Sequence, residues 1–196
     1  MAKQAYVYSG TDWVPLASEV TNLSDYQTKA ATGLVLLNTT SFSGVTSVSL
    51  PADTFTSTYE NYRIIYKFTP VNSDVVFARL RAAGVDATAA QYNPATFFVR
   101  TGGTTGVANS LANQTSAVFE SIVAGQKNQL ILDVIGPKLA EYTTVTSHHL
   151  MGVTASDQKT LFGGFQLSNT LAYDSMSLIM GSGNLSGKVS AYGYNL

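Results

Sequence analysis

Two adjacent histidines, His148 and His149, are the residues of this 196-residue chain best suited to proton transfer or metal binding. They sit in a stretch, 142–151, whose alternation reads as a β-strand. Consecutive strand residues point to opposite faces, so the two rings cannot grip one ion from one side. One ring is expected to be exposed and the other half-buried. Cysteine is absent, which removes thiolate nucleophiles, zinc knuckles and disulfides. No HExxH or EF-hand spacing occurs, and no serine lies in a G-x-S-x-G elbow. Glycan hydrolysis needs two carboxylates about 5 to 9.5 Å apart, whereas Glu60, Asp74, Asp86, Glu120, Asp133 and Asp174 are scattered singly along the chain. Each reads as a turn former or a solvated charge. Gly102-Gly103-Thr-Thr-Gly106 lacks the Lys and the following helix of a phosphate loop and reads as a hairpin turn. The chemistry expected is therefore non-enzymatic, with no cofactor and no metal, and exhaustive chelation is expected to leave the melting temperature unchanged.

Composition narrows the partners. Charged residues make up 12% of the chain, and eleven Lys and Arg almost balance twelve Asp and Glu, leaving a net charge of -1. Phosphate backbones demand clustered positive charge, so nucleic acid is not an expected partner. Arg63, Arg79, Arg81 and Arg100 are the one cationic concentration. Arg79 and Arg81 share a strand face, and edge-strand protection is their expected role. No apolar run is long enough for a membrane helix, and the N-terminus lacks the apolar stretch of a secretory signal. Synthesis in a cytoplasm without membrane insertion follows as an expectation. Abundant Ser, Thr and Tyr describe a surface kept soluble by neutral polar groups.

The elements that must position these residues are mostly strands. Residues 1–32 read as an arm. Within it, 6–8 and 13–16 form a hairpin around Ser9-Gly10-Thr11-Asp12, a turn-prone segment. Residues 18–31 then read as a short helix with Val20, Leu23, Tyr26 and Ala30 on one face. From Leu34 the pattern becomes period two. Strands are expected at 45–50, 62–68, 75–80, 96–100, 118–123, 130–135, 142–151, 161–167, 177–180 and 188–194, separated by Gly, Pro, Asn and Ser clusters. Such punctuation predicts an all-β fold over 33–196, an antiparallel β-sandwich of jelly-roll type preceded by the hairpin and helix arm. Tyr62, Tyr66, Phe68, Phe97, Phe98, Phe162 and Phe165 are expected to fill its core, with sugar stacking by exposed aromatics as the alternative. A two-stranded hairpin cannot cover its own apolar face. Tyr6, Tyr8, Trp13, Val14, Leu16, Val20, Leu23 and Tyr26 are therefore the candidate docking residues.

The opening AYVYSGTDWVPLAS, followed by a helix-prone linker, resembles N-terminal segments of bacteriophage tail-fibre and minor tail proteins. GLVLL from Gly33, TTSFSGVTSVSL ending at Leu50, FTSTYENYRII from Phe55 and GKVSAYGY from Gly187 are similar to the sandwich domain of phage virion surface proteins. The resemblance implies a non-enzymatic structural protein at the virion surface, contacting a major capsid or tail protein. The same module occurs in tail fibres, minor tail proteins and head-decoration proteins. The apolar stripe of Val20, Leu23, Tyr26 and Ala30, with no partner in its own chain, predicts a homotrimer or another symmetric oligomer. A long shaft is missing between hairpin and sandwich, which points to a domain seated close to its support. A capsid decoration protein is the first expectation. A short tail-fibre or minor tail protein binding host surface glycan is the second, and a polysaccharide depolymerase the third.

Overall fold

The computed structural model describes residues 6–8, 10–15, 33–154 and 156–195. Every ladder in it is antiparallel, and no helix occurs among the described residues. β1 (Tyr6–Tyr8) and β2 (Trp13–Pro15) form the expected hairpin, with Tyr8 opposite Trp13 and Tyr6 opposite Pro15. Gly10 turns the chain at φ 97°, a conformation that costs glycine nothing. The helix expected over 18–31, with Val20, Leu23 and Tyr26, lies outside the described residues, as does Leu16.

Thirteen further strands follow. β3 (Gly33–Val45), β4 (Ser47–Ser49), β5 (Asn61–Pro70), β6 (Asp74–Ala82), β7 (Val85–Asp86), β8 (Tyr92–Arg100) and β9 (Thr105–Ser110) are succeeded by β10 (Ala117–Ile122), β11 (Asn128–Ile135), β12 (Thr144–Thr154), β13 (Asp157–Leu167), β14 (Ser175–Met180) and β15 (Leu185–Asn195). They build an eight-stranded sheet in the order β3-β15-β5-β11-β12-β13-β8-β9 and a smaller sheet in the order β10-β6-β14-β4, with β7 added beside β6. Period-two burial explains both. In β5, Tyr62, Ile64, Tyr66 and Phe68 are buried, and in β11 Leu130, Leu132 and Val134. The facing sheet supplies Val76, Ala78 and Leu80 from β6 and Met176, Leu178 and Met180 from β14 to the same core. Two sheets remove their facing apolar sides from water by meeting.

Buried tyrosines pin the loops. The Tyr62 hydroxyl donates to the Thr56 carbonyl at 2.6 Å and accepts from the Thr56 N–H at 2.7 Å. The Tyr92 hydroxyl accepts from the Leu80 N–H at 2.9 Å and donates to the Ala87 carbonyl at 3.0 Å. Each thereby fixes a connection against a strand while its ring fills the core.

Three expectations need correcting. Phe97 and Phe162 are 52% and 39% exposed, not core. Parity is the reason: Phe97 adjoins Phe98, and Phe162 stands three residues from buried Phe165, so neither pair can share a face. Arg79 and Arg81 do not guard an open edge, because β14 pairs with both on one side and β7 pairs with Arg81 on the other, while β10 pairs with the first half of β6. Arg81 instead bridges Asp86 at 3.0 Å and donates to the Gly84 carbonyl, and Arg79 donates to the Thr115 carbonyl. Finally, β3, β7 and β9 are strands absent from the expected sandwich set, which began at Val45.

Candidate functional site

Adjacent strands place one residue from each into a continuous row across the outer face of the large sheet. From one edge to the other the register runs Thr39, Ser190, Ile65, Ile131, His148, Phe162, Phe97 and Val107. The His148 ring stacks on Phe162 at 4.7 Å and 9°, and Phe162 stacks on Phe97 at 5.7 Å and 30°. Val107 at the end of the row is 71% exposed. An exposed run of stacked rings on a flat sheet offers apolar contact area with little side-chain entropy left to lose.

Two residues along the same strands lies a second outer row: Lys188, Lys67, Gln129, Leu150, Thr160 and Val99. Its middle opens into a cleft of about 740 Å³ at the strand ends. Lys67, Gln129 and Leu150 line it from the sheet, Gln126 and Lys127 from the β10–β11 loop, and Gln158 from the start of β13. On the other side of the aromatic row, Arg63 holds Asp133 through two hydrogen bonds of 2.8 and 2.7 Å, and the Tyr194 hydroxyl donates to Asp133 at 2.8 Å. The Arg63 hydrogen bonds hold the Asp133 carboxyl below its ordinary range. Burial raises Tyr194, and the neighbouring Asp133 carboxylate raises it further.

The two histidines part as alternation requires. His148 is exposed in the row, whereas His149 is 1% exposed in the core, more buried than expected. Neither His149 nitrogen has a hydrogen-bond partner. Burial pushes the ring down to about 3, with smaller contributions from the charges of His148 and Lys159. An unfolded histidine titrates near 6.5, so between these values the unfolded chain holds the extra proton. Stability is then full above about pH 6.5 and falls towards pH 3, by about 1.4 kcal/mol per pH unit. The urea midpoint is expected to drop between pH 7 and 4.5 in the native chain and to stay nearly level in His149→Phe. Asp133 and Asp157 are held below the ordinary carboxylate range, so their contribution fades only at lower pH. An equally steep acid limb in the variant would assign the effect elsewhere.

The carboxylates weighed as catalysts are otherwise engaged. Asp86 takes Arg81 and the Ser177 hydroxyl, and Glu120 takes Lys159 at 2.8 Å. Asp174 accepts from the Ala83 N–H and the Ser175 hydroxyl, and Asp74 from the Val75 N–H. Glu60 is exposed before β5. No group of three metal-ligating side chains and no membrane-spanning helix occurs among the described residues. Gly102 and Gly103 turn β8 into β9 with positive φ, the hairpin role expected of them.

Of the arm residues, Tyr8 is exposed and its hydroxyl donates to the Gly10 carbonyl at 3.1 Å. Tyr6, Trp13 and Val14 belong to the hairpin strands. Sequence reasoning missed Lys67, Lys127, Gln126 and Gln129, because ordinary polar residues on separate strands carry no local motif. The parity of Phe97 and Phe162 was the available signal for the aromatic row.

The molecule is thus an all-β protein of two antiparallel sheets carrying an exposed aromatic row and an adjoining cleft. No family model matches the chain, and no curated protein matches it. Among solved structures it is similar to a protein of unknown function from Shewanella oneidensis MR-1, at 12% identity and TM-score 0.25, over 82% of this chain and 78% of that one. It is also similar to peanut lectin with a nine-residue peptide, at 12% identity and TM-score 0.24, over 81% of this chain and 86% of that one. Likenesses of this strength carry no inference about function.

Proposed function

We propose that this chain is a non-enzymatic bacteriophage virion protein, a capsid decoration protein seated by its N-terminal arm, with a jelly-roll sandwich facing outward as a homotrimer. The sequence resemblance suggests the virion. The observation that supports it is that, among the described residues, β1 and β2 pair with each other and extend neither larger sheet. Burying the hairpin's apolar side chains against a neighbouring capsid protein adds contact area to the shell. Counting copies of the chain in purified particles tests this reading. Hundreds per particle fit a decoration protein, a handful fits the tail, and absence from particles overturns both. The mass of the purified protein in solution tests the trimer.

A second reading is favoured by the Phe97, Phe162 and His148 row: a tail protein that presents this face to host surface glycan. Stacked, exposed rings suit the apolar faces of sugars. The depolymerase alternative finds less support, since Asp86, Glu120, Asp133 and Asp174 are each occupied by a cation, a hydroxyl or a backbone N–H.

A further inference from the structure

The cations of the described residues divide into two groups. Arg63, Arg81, Arg100 and Lys159 each meet a carboxylate. Arg79, Lys67, Lys127, Lys138 and Lys188 form no ion pair with a described carboxylate, and Arg79 is engaged by the Thr115 carbonyl. Lys67 and Lys188 also stand directly opposite each other on β5 and β15. Like charges in that position repel unless a counter-charge joins them. Lys67 and Lys127 both line the 740 Å³ cleft, and no Asp or Glu lines it. A volume of that order suits a small ligand rather than a flat protein contact.

The rest of the lining defines what else the ligand carries. Gln126, Gln129, Gln158 and Thr154 offer paired donors and acceptors at the rim. Asn128, another lining residue, is 4% exposed. Its amide donates to the Gln126 carbonyl at 2.9 Å, but its Oδ1 has no partner. Asn128 shares the core face of β11 with Leu130 and Leu132, so the ligand-facing amides are those of Gln126, Gln129 and Gln158. Leu150 lines the cleft and shares its face with His148, two residues away on β12, so apolar area continues from the cleft into the aromatic row.

We propose that this cleft binds a carboxylate-bearing saccharide, its acid held by Lys67 and Lys127, its hydroxyls by the amides, and a ring face against Leu150 and His148. A phosphodiester chain fits less well, because no arginine lines the cleft to give the bidentate grip that phosphates favour. The inference rests on the glycan-facing reading and makes no use of the arm. Particle copy number and saccharide binding can therefore succeed or fail independently.

Calorimetric titration of the full chain with trigalacturonate and with 3′-sialyllactose, each beside its uncharged counterpart (the methyl ester and lactose), tests it. At least one acidic form is expected to bind roughly tenfold more tightly than its counterpart, with the gap narrowing as salt rises. Lys67→Gln and Lys127→Gln should each remove about that tenfold preference and leave the neutral form unaffected. Both lysines are exposed, so the variants should melt like the native chain. Lys138→Gln, outside the cleft, should change nothing. Equal affinity for charged and neutral forms, no binding of either acid at millimolar concentration, or an equal loss in the Lys138 variant would overturn the proposal.

Discussion

Deleting residues 1–32 is expected to abolish attachment to particles that lack this protein while leaving a sandwich that still unfolds in one cooperative step. The energetic argument begins with the side chains of Tyr6, Tyr8 and Trp13. Aromatics bury about 150 to 250 Å² each, so three of them supply on the order of 10 kcal/mol of gross burial at about 25 cal/mol per Å². Ordering the arm and losing rigid-body freedom offset much of this. Several arms binding together in one oligomer restore the margin through effective concentration. The described sandwich carries a buried core of its own, with Val48, Tyr62, Leu132, Leu178 and Ala191 among its members, and is expected to fold on that. Trp13→Ala should accordingly weaken attachment with little change in the melting temperature of the free protein. A truncated chain that is insoluble or melts without a transition would show instead that the arm belongs to the core.

Gly163→Ala is expected to be among the most damaging single substitutions in the sandwich. Gly163 lies in β13, paired with Thr96 of β8 on one side and Ser147 of β12 on the other. Its φ is 153°, and a Cβ there would stand 2.1 Å from the Ala95 carbonyl oxygen. At Gly164 the corresponding distance is 2.0 Å to the Val145 carbonyl oxygen. The atoms in the way are backbone of paired strands, so relief requires the ladder itself to move. A cost of about 3 kcal/mol is the reasonable order for such overpacking, or a fall in melting temperature of roughly 6 to 12 °C for a chain this long. Gly125→Ala separates clash from backbone conformation. Its φ is 71°, yet nothing lies within 4 Å of the added atom, so only about 1 kcal/mol is expected there. Equal losses in the two variants would mean that strand contact is not what reserves position 163 for glycine.

These two results would bear on function in different ways. The first separates the arm from the body it carries. The second concerns strand spacing under the outer face: glycines at 163 and 164 let β8, β13 and β12 lie close beside the ring stack of Phe97, Phe162 and His148. A widened ladder there would part the rings as well as lower stability.

Read alone, the sequence determined the class of this protein. Alternation with period two is a local property, so Tyr62, Ile64, Tyr66 and Phe68 could be assigned to one buried face before any partner strand was known. The hairpin at β1 and β2 was legible for the same reason, because its turn chemistry and β-prone flanks adjoin in the chain. Separation of the two histidine rings followed from parity alone. Only the tertiary structure decided which strands neighbour one another, and the functional face depends on that order. Lys67 and Lys188 stand 121 positions apart in the chain, yet the β5–β15 register sets them opposite each other. Phe97 and Phe162 meet because β8 pairs with β13, and Lys127 joins Lys67 because β11 pairs with β5. Such pairings are set by the burial of whole sheets against each other, a global balance that no local spacing records.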